Sequence, residues 1–328
     1  MEGQAVAQDL DEGESWLRRA ALAGDAQAAQ LVGDLYARSG SLPPNYTEAA
    51  KWYRRAAEAG HQAAARALGS LYLTGAGLPQ DAGEAARWLG SAAEAGDPAS
   101  QVDLANLVLQ GHGSEDDPAR VAGWFAQAAV SGDLIAAFNI GVCLAQGVGV
   151  ERDDQQAVLW LRRAAEGVPD AQFMYGRMLA EGRGIATDLA GARAWFARAA
   201  EAELPDAQVA LAEMMLNGRG GPRSPAGALE LFEKAAAKGH SGAMFGLGAL
   251  HGGGHDLPMD RQIAQRWFRA AAELGHGQAQ LMLGRYLVGG VAGEPNPGEG
   301  RQWLQRAAAQ GIADAETDLA ALLASTDS

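Results

Sequence analysis

The sequence is poor in cysteine, in lysine and in long apolar runs. Cys143 is the only cysteine among 328 residues, so no internal disulfide can form. Lysine occurs only as Lys51, Lys234 and Lys238, and the formal net charge is −14, which makes the phosphate backbone of nucleic acid a poor ligand. No apolar run approaches the roughly 18 residues that a membrane-spanning helix needs. We therefore expect neither nucleic-acid binding nor a membrane span.

The first residues also lack the features of a targeting segment. Residues 1–15 are polar and acidic and contain no apolar core of a signal peptide. Together with the shortage of cysteine, this predicts a cytoplasmic protein without disulfide bonds. The alternative is a mature exported or periplasmic form that has lost its leader, because such a form would have the same composition.

What the sequence does contain is a string repeated about every 36 residues. Tryptophan occupies one position of this string at 16, 52, 88, 124, 160, 195, 267 and 303, and Leu231 takes that position in the remaining copy. An Ala-Ala pair follows four and five residues after each of these nine positions. A fixed period of this length is typical of a repeat architecture.

The string around each tryptophan predicts an amphipathic helix, here called a tryptophan helix. In the copy at 49–60, apolar residues recur three and four positions apart, as on one face of an α-helix. A glycine usually ends the string, as at Gly60. A residue suited to an N-cap stands seven positions before the tryptophan position in every copy. These predicted caps are Asp9, Asn45, Asp81, Asp117, Asp153, Asp188, Ser224, Asp260 and Asn296.

A second helix is predicted between successive tryptophan helices. A small residue, glycine in six copies and alanine in three, marks its centre. We call it the glycine-marker helix, or marker helix. The markers are residues 33, 69, 105, 141, 176, 212, 248, 284 and 320. A glycine six residues later predicts the end of most marker helices, as at Gly75 and Gly182.

The alternation of the two helices predicts an all-α fold. We expect a right-handed α-solenoid, or superhelix, of antiparallel helix pairs with a 36-residue repeat, because each repeat can bury its apolar face only against its neighbours. The predicted organisation is a flexible segment 1–12, a single solenoid 13–324 and a tail 325–328. The solenoid would contain about eight full helix pairs and a half-unit at each end.

The repeat resembles the Sel1-like repeat, a relative of the tetratricopeptide repeat. The resemblance rests on Ala64 to Gly77 followed by Ala85 to Gly96 and extends over about 16–324. A plain tetratricopeptide array is the alternative, although the 36-residue period and the tryptophan favour the Sel1-like repeat. The resemblance implies a protein–protein interaction scaffold or adaptor whose marker helices line the concave side of the superhelix. It does not identify a partner.

Few residues suggest chemistry of their own. The Gly-x-Gly sequences, such as 182–184, follow helices in nearly every repeat, so we interpret them as helix ends rather than phosphate loops. His251 and His255 flank three glycines, which disfavours a metal site. The familiar serine-nucleophile motifs are absent. We predict no enzymatic activity, cofactor or metal; the alternative is an enzyme-like or regulatory ligand-binding protein that acts on cell-wall peptides.

The candidate site lies on the marker helices, at positions that the repeat does not fix. Five of the nine residues are apolar and three carry an amide or a carboxylate, which suits an extended peptide with apolar anchors. Asp103 and Glu213 favour some positive charge on that peptide. The alternative is that the residues only pack between repeats. The predicted peptide-binding residues are Asn106, Phe138, Asn139, Val142, Phe173, Met174, Arg177, Val209 and Glu213.

Overall fold

A computed structural model describes residues 10–38, 43–253 and 257–326, and within these ranges the chain forms eighteen α-helices and no strand. The nine tryptophan helices are α1 (Leu10–Leu22), α3 (Tyr46–Glu58), α5 (Ala82–Glu94), α7 (Asp117–Val130), α9 (Asp154–Ala164), α11 (Leu189–Glu201), α13 (Pro225–Ala237), α15 (Arg261–Glu273) and α17 (Pro297–Ala309). The nine marker helices are α2 (Ala26–Ala37), α4 (Gln62–Thr74), α6 (Pro98–Leu109), α8 (Leu134–Gln146), α10 (Pro169–Glu181), α12 (Pro205–Asn217), α14 (Ser241–Gly252), α16 (Gly277–Gly289) and α18 (Ala313–Thr326).

The helices divide into two compact units. Unit 1 comprises Met1–Gly132 and Cys143–Arg152, and unit 2 comprises Asp133–Val142 and Asp153–Ser328. Inside each unit, helices that follow one another in sequence pack against each other. Their short connections require antiparallel neighbours. The predicted all-α fold of helix pairs is thereby confirmed, whereas the handedness and the single solenoid over 13–324 stay predictions.

The N-caps explain where most tryptophan helices begin. Each confirmed cap accepts a hydrogen bond from a backbone N–H of the first turn, which satisfies a donor that has no partner within the helix. Asp81, for example, accepts from Gly83 at 2.9 Å and from Glu84 at 3.0 Å. Asp9 lies outside the described residues. The confirmed caps are Asn45, Asp81, Asp153, Asp188, Ser224, Asp260 and Asn296.

The predicted cap Asp117 is wrong. Asp116 precedes α7 as its cap residue and makes no side-chain capping bond, while Asp117 is the first helical residue. The Asp117 carboxylate is buried, accepts from the Ser114 backbone N–H at 2.6 Å and pairs with Arg120. Its ion pair and this turn bond therefore replace the capping bond that the position makes in other repeats.

In the six repeats with a marker glycine, the core depends on contact between that glycine and the residue after the tryptophan position. A Cβ added to Gly248 would lie 2.5 Å from Cδ1 and Cε1 of Phe268, and one added to Gly176 would lie 2.8 Å from Cε1 of Phe196. No larger residue fits at these markers without a shift of the ring. The same contact joins Gly33 to Tyr53, Gly69 to Leu89, Gly141 to Leu161 and Gly284 to Leu304.

The Gly-x-Gly sequences also have a structural role. Gly182 ends α10 in the left-handed conformation, with φ +69°, as predicted. The second glycine, Gly184, has φ +68°, and a Cβ there would overlap the backbone carbonyl of Asp154 at the start of α9. Gly220 meets Leu189 in the same way. The loop therefore needs glycine both for its conformation and for close approach to a neighbouring helix.

Candidate functional site

Eight of the nine predicted peptide-binding residues lie on marker helices of unit 2. Phe138, Asn139 and Val142 are on α8, Phe173, Met174 and Arg177 on α10, and Val209 and Glu213 on α12. Asn106 is exposed on α6 and belongs to unit 1. Its place in a continuous surface with the other eight residues therefore stays a prediction.

Phe173 divides its ring between packing and solvent. It is half-buried, and its ring centroid lies 5.7 Å from that of the core residue Phe196, with an angle of 43° between the rings. The Arg177 guanidinium lies 6.0 Å from the Phe173 centroid and pairs with Glu181 at 3.2 Å. One part of the Phe173 ring thus packs on the core and another part stays accessible, and its role in peptide binding stays a prediction.

The position of Phe173 in its repeat is partly exposed in most of unit 2. Phe138 and Val209 occupy the equivalent positions of α8 and α12 and are also half-buried. In α16 the equivalent residue, Leu281, is 2% exposed and belongs to the core. This position therefore offers apolar surface on α8, α10 and α12 and only packs on α16.

Phe245 on α14 holds the same position, three residues before the marker Gly248, and sequence reasoning missed it. It is half-buried, lies 5.8 Å from Phe268 and stacks on His276 at 4.9 Å with the rings 19° apart. The repeat register itself was the signal that could have found it. The stacking covers one face of the Phe245 ring, so only the remainder of the ring is accessible.

Two exposed charges of opposite sign accompany the apolar residues. Arg177 on α10 and Glu213 on α12 occupy equivalent positions, one residue after their markers. Desolvation by neighbouring atoms raises the pKa of the Glu213 carboxyl, and the charges of Arg219 and His240 oppose that rise. Val142, Met174 and Val209 on α8, α10 and α12 are half-buried. The helices thus present apolar side chains with one cationic and one anionic group.

Three histidines act as caps rather than as ligands. Nδ1 of His61, His240 and His276 accepts a hydrogen bond from the backbone N–H three residues later, at 3.1 to 3.3 Å. Burial is the main cause that lowers the pKa of His276. His251 lies in α14, while His255 lies outside the described residues. Within the described ranges, no cluster of three histidine, cysteine or acidic residues could hold a metal ion.

Cys143 lies in the core of its repeat. Its side chain is 1% exposed, and burial raises the pKa of its thiol to about 11. The thiol is therefore protonated at neutral pH, so it is a weak nucleophile and a poor metal ligand. Cys143 therefore packs as a small, mainly apolar side chain.

The helices of the described ranges are also short in relation to a bilayer. None of them combines the length and the apolar character that crossing a membrane would require.

Comparison with protein families and solved structures gives a consistent result. The Sel1 repeat model matches residues 1–25, 26–61, 62–97, 134–167, 169–204, 205–240, 241–276 and 277–312. The sequence comparison with curated proteins found no match. The unmatched stretch 98–133 contains α6 and α7, where the cap of the tryptophan helix also departs from the repeat.

Among solved structures, a Sel1 repeat protein from Oxalobacter formigenes is 30% identical, with a TM-score of 0.75, and the match covers 98% of this chain and 97% of that one. The protein c5321, a protective antigen of uropathogenic Escherichia coli strains with an SLR fold, is also 30% identical, with a TM-score of 0.66; the match covers 94% of this chain and 67% of that one. Yeast Tom70, 17% identical over 92% of this chain and 65% of that one, has a TM-score of 0.50 and shares the fold alone. The chain belongs to the Sel1 repeat family.

Proposed function

We propose that the protein is an interaction scaffold that binds an extended segment of a partner protein along the marker helices α8, α10 and α12. Sel1 and tetratricopeptide-like repeats generally serve as protein-interaction scaffolds. The observation that carries the proposal is the set of half-buried apolar side chains on these three helices, with exposed charges in the same register. A core alone would not need apolar residues at positions that remain accessible.

The apolar residues are suited to anchor side chains of a bound peptide. Phe138, Phe173 and Val209 recur once per repeat, so stacked repeats would present them at regular intervals. Burial of an aromatic anchor at such a contact often contributes 2 kcal/mol or more, roughly thirtyfold in affinity. The Asn139 amide can donate to and accept from a peptide backbone. Together these groups would bind an extended chain with apolar side chains at spaced positions.

The charges determine which peptide would be preferred. Glu213 on α12 would attract a cationic residue of the peptide. Arg177 on α10, one repeat earlier in the protein, would attract an acidic residue of the peptide. Arg177 already pairs with Glu181, so its contribution to binding should be smaller. The preferred ligand is therefore an apolar segment with positive charge near α12.

A peptide selection on the full chain tests this proposal. Peptides selected from a random displayed library would be remeasured by fluorescence anisotropy against Glu213→Lys and Arg177→Glu. Matched controls are Glu230→Lys on α13 and Arg162→Glu on α9, which reverse the same charges at exposed positions of tryptophan helices. All four variants should keep the helical signal and the melting temperature of the wild type.

The two sets of variants should differ in binding. We expect Glu213→Lys to weaken the binding of cationic peptides about tenfold, because an attractive contact becomes repulsive. Glu230→Lys should leave their affinity within about twofold of the wild-type value. Equal losses at Glu213 and Glu230 would show that net charge, not this surface, governs binding. Unchanged binding by every variant would place the peptide elsewhere.

A further inference from the structure

A cavity of about 360 Å³ lies among α16, α17 and α18, all of which belong to unit 2. Leu304 is the residue that α17 contributes to its lining, and it is 2% exposed. Val288 of α16 and Leu322 of α18 also line the cavity, and both are half-buried. The cavity therefore combines a buried apolar floor with apolar walls that solvent can reach.

Two lining residues hold the same positions in the repeat as residues of the proposed peptide site. Arg285 stands one residue after its marker, as Glu213 does. Asp318 stands two residues before its marker, as Met174 does. The positions that sequence register selects for peptide binding thus border a recess in this pair of marker helices.

The equivalent positions of the preceding repeat carry aromatic rings. Phe268 holds the position of Leu304, and Tyr286 holds that of Leu322. The two ring centroids lie 5.3 Å apart with the planes at 73°, and both side chains are buried. In the repeat with the cavity, by contrast, Leu322 keeps part of its surface exposed.

The charges at the rim of the cavity are unequal. Nε of Arg285 donates to Asp318 at 2.6 Å, and one of its terminal nitrogens donates to Asp314 at 3.1 Å. Two carboxylates therefore share one guanidinium group. Arg285 is the only charged residue of α16, whereas α18 carries three acidic residues and no basic one. An anionic ligand would compete with both aspartates for Arg285, while a cationic ligand would meet the carboxylate in excess.

The edge of the cavity leaves room for a polypeptide backbone. Gly289 and Ala321 line it, are exposed and have small side chains or none. A chain can therefore pass over the edge while one of its side chains enters the cavity. The volume also lies within the range of about 300–1,000 Å³ that is typical of ligand pockets.

We propose that this cavity binds an apolar side chain of a partner segment in which a lysine or arginine stands beside the apolar residue. This inference rests on the proposed function, because it adds a contact at marker-helix positions to the same class of ligand. The apolar side chain packs on Leu304 and Val288. The neighbouring cation pairs with a carboxylate of the rim.

Methyl NMR of the full chain with labelled valine and leucine methyl groups tests the inference. The probe is N-acetyl-Lys-Leu-Lys-amide, titrated at low ionic strength, where exposed charges are least screened. Val288 reports on the cavity and Val209 on the proposed site at α12, and each signal is assigned by its loss in the corresponding alanine variant. We expect a saturable shift of the Val288 signals with a dissociation constant on the order of a millimolar.

Two further peptides separate the apolar contact from the charge. N-acetyl-Lys-Ala-Lys-amide should bind at Val288 about tenfold more weakly, because alanine buries less apolar area than leucine. N-acetyl-Glu-Leu-Glu-amide should cause no saturable shift, because its charges have the sign of the rim. Equal affinity for the leucine and alanine peptides, or for the cationic and anionic ones, would overturn the proposal.

Two pairs of variants on α18 locate the contact. Ala321→Trp places a ring at the cavity and should abolish binding at Val288, whereas Thr317→Trp, at an exposed position outside the lining, should not. Asp318→Asn should weaken the lysine peptide about threefold, because a carboxylate of the rim is lost. Glu316→Gln removes the same charge at an exposed position outside the lining and should have a smaller effect. Equal effects within either pair would contradict binding at the cavity.

The two reporter signals keep this inference separate from the proposed function. A shift of Val209 without a shift of Val288 would overturn the inference and leave the proposed site on α8, α10 and α12 intact. A shift of Val288 without a shift of Val209 would support the cavity and count against that site. No saturable shift of either signal would refute both.

Discussion

Replacement of the marker Gly248 by alanine tests the packing rule that defines the repeat. The added Cβ would lie 2.5 Å from two ring carbons of Phe268. That ring is 1% exposed and is held by Phe245 at 5.8 Å and by Tyr286 at 5.3 Å. It therefore has little freedom to move away. The contact lies at the centre of α14, where the backbone cannot shift without loss of helical hydrogen bonds.

Two opposing effects determine the magnitude. Alanine is better than glycine in a helix interior by about 1 kcal/mol. Overpacking of a tight core contact typically costs about 1–3 kcal/mol. Gly123→Ala in α7 is the control, because no atom lies within 4 Å of its added Cβ and only the propensity gain remains. We expect Gly123→Ala to raise the free energy of unfolding of its unit by up to about 1 kcal/mol. The corresponding change for Gly248→Ala should be lower than that of the control by about 1–3 kcal/mol.

Urea unfolding followed by circular dichroism at 222 nm measures both changes. Repeat proteins can unfold in more than one step, so the transition midpoint of each variant should be compared with the wild-type midpoint of the same unfolding step. Higher midpoints of similar size in both variants would refute the argument. That result would show that Phe268 yields freely and that glycine at the marker is not required for packing.

Three further predictions concern caps and turns. Stability should fall as the pH drops below 6.5, because burial lowers the pKa of His276 and only the unfolded chain takes up the proton readily. His276→Asn keeps a capping acceptor and should weaken this pH dependence in urea titrations at pH 7.5 and 5.5. The same pH dependence in the variant and the wild type would contradict this prediction. Asp81→Ala should cost about 1 kcal/mol in the same assay, since two N–H groups lose their acceptor, and no loss would show that the cap is dispensable. Glu203→Gly should raise the melting temperature, because glycine adopts the positive φ of residue 203 without strain. A lower melting temperature would show that the bond from Nζ of Lys238 to the Glu203 carboxylate outweighs this backbone strain.

Regular features of the repeat could be predicted from the sequence because they depend on local chemistry. An N-cap needs one acceptor before a first turn, so Asn45, Asp81 and Asp188 could be recognised from residue type and register alone. The same logic failed at Asp117. Three acidic residues stand together in that loop, and residue type alone does not show that Asp117 enters the helix, where it accepts from the Ser114 N–H and pairs with Arg120 three residues later.

Features that depend on contacts between helices were harder to predict. Trp267 and Phe268 are adjacent apolar residues, and the sequence does not show that the second one covers Gly248. Gln208 resembles a surface residue by type, yet neighbouring helices bury it. For the candidate site, residue register placed Phe138 and Phe173 on accessible positions. It did not show that Phe173 also packs on Phe196, because that depends on the depth of the ring.

Photo-cross-linking of a selected peptide to the full chain tests the central claim most directly. The peptide would carry a benzophenone side chain at an apolar anchor position, and mass spectrometry would locate the adducts. We predict adducts on α8, α10 and α12, with Met174 prominent because it is half-buried beside Phe173. Adducts confined to the tryptophan helices α9, α11 and α13 would contradict the claim that the marker helices form the binding surface.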